Sequence, residues 1–264
     1  MVAYLLVGSS LSGQAATPPA DVVPAHDTFT VLSKAVGEPR RINVYTPPSY
    51  KLPAAGRFPV LYMPDGGLDE DFPHVVNTVD SLIALKKIRP VIVVGIPNTE
   101  RRRDLTGPTR IASDSAIAKR VGGSAQFRTF MRDELFPAVN ARYRTTEERS
   151  VVGESLAGLF VVETFLLDPT LFTHYIAVDA SLWWNKGALI DAAPAHLKSF
   201  GSAARSIHFS SSSEDIDARN TTFAAVLNAH APKQLLWTFT PRADLKHATI
   251  FRGEGPAALL QALR

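Results

Sequence analysis

Short, unbroken apolar runs recur along this chain with helix-patterned segments between them. Phe58-Pro59-Val60-Leu61-Tyr62-Met63, Val91-Ile92-Val93-Val94-Gly95-Ile96 and Ser150-Val151-Val152-Gly153 are the clearest. Runs of this length without polar alternation suit strands buried on both faces, which occur in parallel sheets covered by helices. Later runs at Tyr175–Val178, Ser206–Phe209 and Gln234–Phe239 continue the series. The spacing predicts helices at Val75–Lys87, Ser124–Tyr143, Leu156–Leu167, Gly187–Leu197, Arg219–Ala231 and Pro256–Leu263. Near the start, Phe29–Leu32 and Arg41–Tyr45 alternate instead, as an antiparallel pair turning around Gly37-Glu38-Pro39 does. The expected fold class is therefore α/β, with a mostly parallel central sheet, helices on both faces and an antiparallel N-terminal strand pair. No repeat or linker divides 17–264, which reads as one domain.

Composition excludes several classes of function. The chain has 264 residues and no Cys, so disulfides, thiolate catalysis and Cys-ligated metals are out. The formal net charge is +3, and the basic residues are scattered apart from Arg101-Arg102-Arg103. That is not the clustered footprint of a nucleic-acid binder. Met1–Leu11 is apolar and gives way to small residues before Pro18-Pro19. Although it lacks an initial Lys or Arg, 1–16 has the expected form of an export signal cleaved near Ala16, too short to span a bilayer.

Gly153-Glu154-Ser155-Leu156-Ala157 falls at an expected strand-to-helix junction. There a serine on a sharp turn is lifted above the sheet edge, and small residues two before and two after let strand and helix approach. Ser155 is the candidate nucleophile. It needs a base. Of the five histidines downstream, His174, His196, His208 and His230 fall within or at the ends of expected elements, and His247 alone follows the last strand. The acid that would orient its imidazole is open among Glu214, Asp215, Asp217 and Asp179. Leu156 N–H, at the start of the following helix, and Gly67 N–H, in the turn Pro64-Asp65-Gly66-Gly67, are the candidate oxyanion donors. Arg101 and Arg103 are candidates for a polar or anionic substrate, whereas Arg102 reads as a solvated charge. Trp183 and Trp184 fit either a pocket wall or the core.

These motifs, with Asn98–Thr106 and Ser181-Leu182-Trp183-Trp184, resemble the Putative esterase branch of the α/β-hydrolases, over about Arg41 to His247. That branch includes enterobactin-esterase-like serine esterases and is similar to S-formylglutathione hydrolase. The resemblance implies an α/β-hydrolase fold, Ser155 as nucleophile, His247 as base and Glu214 as acid. Three positions depart from the pattern: Ser211 and Ala157 replace usual glycines, and Glu154 replaces a usual histidine. The implied activity is hydrolysis of a small-molecule ester without metal or cofactor. An acyltransferase or a catalytically silent binding domain on the same scaffold are the alternatives.

Overall fold

The computed structural model describes residues 21–53 and 56–264; the expected export signal lies outside them. Eight strands form one sheet in the order β1-β2-β4-β3-β5-β6-β7-β8. They are β1 (Asp27–Ser33), β2 (Glu38–Tyr45), β3 (Phe58–Pro64), β4 (Ile92–Ile96), β5 (Thr145–Glu154), β6 (His174–Val178), β7 (Arg205–Ser212) and β8 (Leu235–Arg242). β1 pairs antiparallel with β2, and β2 with β4; the remaining strands run parallel. The alternating N-terminal pair and the apolar parallel centre are thus both present.

Helices cover the two faces. On one, α1 (Phe72–Ala84) packs Val75, Val76 and Val79 with Leu61, Met63 and Val93 of the sheet, and a C-terminal helix adds Ala258 and Leu259. On the other lie α4 (Ser124–Phe130), α5 (Phe136–Arg142), α6 (Leu156–Leu167), α7 (Ala188–Lys198) and α8 (Arg219–His230). In α6 every residue except Leu167 is buried, so it shows no amphipathic stripe.

Three elements depart from the sequence expectation. The expected helix over Ser124–Tyr143 carries a π turn at Met131–Leu135, between α4 and α5. Pro137, in the first turn of α5, has no N–H to continue the regular ladder, and the widened turn accommodates it. The segment after β4, where no helix is expected before Ser124, holds the short helices α2 (Arg101–Asp104) and α3 (Ala112–Ala116). The last helix, α9 (His247–Ala262), starts nine residues earlier than expected. Gly253, Gly255 and Pro256 lower its intrinsic propensity, but burial of Ile250, Glu254, Gly255, Ala258 and Leu259 against the sheet outweighs that.

The topology decides where chemistry can sit. From β3 the chain moves to β4 on one side, while β5 onward proceeds to the other. The strand order therefore reverses between β3 and β5, which opens a crevice beyond their carboxyl ends. The turns following β3, β5, β6, β7 and β8 converge there.

Candidate active site

Ser155 joins β5 to α6 with φ 58° and ψ −116°, a conformation that costs a non-glycine residue about 1–3 kcal/mol. Neighbouring backbone holds it there. Ser155 N–H donates to Val178 O at 3.1 Å, and its carbonyl accepts from Leu159 N–H and Ser181 N–H, each at 2.9 Å. Position 153 favours glycine, because a Cβ there would lie 2.6 Å from the Ala157 backbone and force it to shift. A Cβ on Gly158 would come within 3.0 Å of Ala180 Cα.

The imidazole of His247, the first residue of α9, stands over this turn. Its Nε2 is 3.1 Å from Ser155 Oγ, and its Nδ1 is 2.6 Å from Asp179 Oδ2. Asp179 follows β6 with φ 45° and is 5% exposed; Ser212 N–H donates to its Oδ1 at 2.8 Å. Burial alone would raise the Asp179 pKa, but the His247 and Ser212 hydrogen bonds bring it below the usual carboxylate range. The same bond is the main reason that the His247 pKa is raised, with the nearby Glu154 charge adding to it against desolvation.

It is Asp179, not the expected Glu214, that meets the His247 ring. β7 runs on to Ser212 and carries Glu214 past the ring, where its Oε2 accepts the backbone N–H of His247 at 2.9 Å. Glu214 thus supplies negative charge at the N-terminus of α9, where a carboxylate complements the helix dipole. Asp215 is committed to Asn220 and Thr221 at the start of α8. Asp217 is exposed and makes no such bond.

The oxyanion candidates also separate. Leu156 N–H is the first of α6 and has no carbonyl partner within the helix. Gly67 N–H instead donates to Glu70 Oε2 at 2.7 Å, because the Gly67–Glu70 turn folds that carboxylate back. This removes Gly67 from the expected role in this conformation.

Among the substrate candidates, Trp183 lines a cavity of about 320 Å³, together with Ser155, Asn220, Ile216, Glu214 and His247. Trp184 does not reach it: it is 4% exposed, and its indole N–H donates to Gly107 O at 2.8 Å. Arg101 is held bidentately by Asp65, with both bonds at 2.7 Å. Arg103 is engaged in an ionic cluster with Glu38 and Asp104 and does not line this cavity. Asp65 carries no signal in the sequence beyond its place in a turn; its φ of 56° and its hold on Arg101 emerge only in three dimensions.

Residues 33–252 match the model of the Esterase family, described as "Putative esterase". The chain belongs to that family. It is 30% identical over 162 residues to ferri-bacillibactin esterase BesA of Bacillus subtilis, covering 53% of each chain. It is 29% identical over 176 residues to the siderophore triacetylfusarinine C esterase of Aspergillus fumigatus, covering 61% of this chain and 58% of that one. These matches thus span only about half to three-fifths of the relatives' length. Among solved structures, an IroE-like serine hydrolase from Shewanella oneidensis superposes with a TM-score of 0.82 at 24% identity, covering 90% of this chain and 80% of that one. Siderophore hydrolase EstB from Aspergillus nidulans gives 0.76 at 18% identity, with 94% and 98% covered. These likenesses place the chain in the α/β-hydrolase fold.

Proposed function

We propose that this protein hydrolyses carboxylic esters through an acyl-enzyme on Ser155. The observation that carries the reading is the run of contacts from Ser155 Oγ to His247 Nε2 and from His247 Nδ1 to Asp179, built on a strained strand-to-helix turn. His247 takes the Ser155 proton as Oγ attacks the ester carbonyl. Asp179 fixes the tautomer with Nδ1 protonated and stabilises the imidazolium. The Leu156 N–H and the positive end of α6 face the developing oxyanion. The imidazolium then protonates the departing alcohol, and a water activated by the same ring releases the acid. No step in this sequence calls for a metal or cofactor.

The cleft beside Ser155 is walled on one side by Trp183 and Ile216, which favours an acyl or alcohol group with an apolar face. Relatives named as siderophore esterases make iron-chelating esters the first natural substrates to try. We also read 1–16 as an export signal, a reading that the mass of the mature protein tests; no described helix is long and apolar enough to cross a membrane.

The decisive experiment is hydrolysis of p-nitrophenyl butyrate by Ser155→Ala. Turnover should fall by about 10⁴–10⁶-fold with the melting temperature preserved. Hydrolysis retained by that variant excludes Ser155 as nucleophile. Covalent labelling by a fluorophosphonate, lost in the same variant, separates an enzyme from a silent binding domain.

A further inference from the structure

Glu154 has no part in the mechanism above, yet its Oε1 lies 3.4 Å from His247 Nε2, the same nitrogen that faces Ser155 Oγ at 3.1 Å. Two groups thus converge on one ring nitrogen. With Nδ1–H donated to Asp179, a neutral imidazole offers only a lone pair at Nε2. No hydrogen bond joins Glu154 to the ring, so its carboxylate acts on that nitrogen through charge. A negative charge there favours the imidazolium over the neutral ring. While Nε2 carries the proton, the lone pair that Ser155 needs is engaged.

We propose that Glu154 is a second carboxylate on the His247 imidazole, its charge favouring protonation of Nε2 and so holding the base back from Ser155 until that proton is lost. Glu154 is here a positioning residue, and the inference rests on Ser155 and His247 being nucleophile and base. Once that proton has gone, the Glu154 charge favours the imidazolium that forms as Ser155 attacks. The residue therefore delays the onset of activity with rising pH and raises the plateau that follows.

The surroundings support both halves of that statement. Glu154 is faced by Asp71 before α1, Asp65 after β3 and Arg101 of α2; His247 is faced by Asp179 after β6 and Glu214 after β7. Arg101 is paired bidentately with Asp65, so it offsets the crowding of carboxyl groups only in part. Burial lifts the Glu154 pKa to about 7, with Asp71 and Asp65 adding to the rise and His247 and Arg101 opposing it. Two groups this close lose their protons as a pair, so the midpoint of the activity profile belongs to both.

The test is the pH profile of kcat/KM for p-nitrophenyl butyrate in the wild type and in Glu154→Gln. A parallel proton NMR titration follows the His247 ring, its signal identified by loss in His247→Ala. The acid limb of Glu154→Gln should move about one pH unit lower, since an opposite charge at this distance shifts a titration by that order. Its plateau should fall several-fold, and the NMR midpoint should move down with the limb. Mere structural damage lowers the plateau and leaves both midpoints in place. If Glu154→Gln does not fold, Glu154→Asp, which withdraws the carboxylate by one methylene, should show the same shift in smaller measure. Unmoved midpoints alongside an inactive Ser155→Ala overturn this inference alone. An active Ser155→Ala overturns the nucleophile reading on which it rests.

Discussion

Asp179 Oδ2 meets His247 Nδ1 at 2.6 Å, although the two residues follow different strands and stand 68 positions apart. Glu214 reaches only the backbone N–H of the same histidine. The two carboxylates thus act on His247 in different ways, one on the ring's electronics and tautomer and the other on the start of α9. Asp179→Asn should lower kcat on a p-nitrophenyl ester by about 10³–10⁴-fold, because an amide favours the wrong tautomer. Glu214→Gln should cost no more than about tenfold, the order of one weakened hydrogen bond. Steady-state kinetics on the two variants checks the division, and the reverse order would restore Glu214 as the acid.

The turn that presents Ser155 leaves no room at position 153. A Cβ on Gly153 would meet Ala157 C and O at 2.6 Å and its Cβ at 2.7 Å. Two of these three contacts are with backbone, so the neighbour cannot yield by changing rotamer. Gly153→Ala should cost about 1–3 kcal/mol, lowering the melting temperature by ~2–4 °C per kcal/mol for a chain of this size. Adding Ala157→Gly removes only the side-chain contact and should restore little. Thermal unfolding of the single and double variants measures both effects.

How far the sequence discloses this site depends on whether a residue's role is local. Ser155 is legible because strand, small residues and helix adjoin in the chain, and α6 begins and ends where its apolar run does. His247 is legible because it follows the last strand. Asp179 is not singled out, since the distance by which β7 overshoots the ring appears only once the strands are in register. Gly67 misleads for a related reason: its N–H is available in the sequence but is taken by Glu70 in the fold. The start of α9 is hidden by Gly253, Gly255 and Pro256, whose low propensity tertiary burial overrides. Trp183 and Trp184 are equivalent as letters and differ only in which way the chain turns after β6.

That last difference is measurable. Trp183 borders the cleft beside Ser155, so Trp183→Ala should raise KM for esters with bulky aromatic acyl groups more than for acetyl esters. Trp184 is buried and its indole N–H is bonded to Gly107 O, so Trp184→Ala opens a cavity and frees a carbonyl. It should lower stability by about 3–5 kcal/mol without a selective change in KM. An acyl-chain series run on both variants, alongside denaturant unfolding, separates the roles; a KM effect confined to Trp184→Ala would reverse them.

Arg103 belongs to a cluster whose business is stability. Asp104 Oδ2 accepts from Arg40 at 2.5 Å and its Oδ1 from Arg103 Nε at 2.7 Å, while Arg40 and Asp104 are each 1% exposed. Arg40 also donates to Pro97 O at 3.1 Å, so the cluster ties β2 to the segment leaving β4. Removing the carboxylate leaves the Arg40 guanidinium in the interior without its nearest counter-charge. Asp104→Ala should therefore cost about 3–5 kcal/mol, the usual penalty for breaking a buried pair from one side. The cluster does not line the cleft at Ser155, so kcat/KM per folded molecule should stay near the wild-type value. Denaturant unfolding together with active-site titration checks both halves; a loss of kcat/KM at full folding would return this cluster, Arg103 included, to the substrate side.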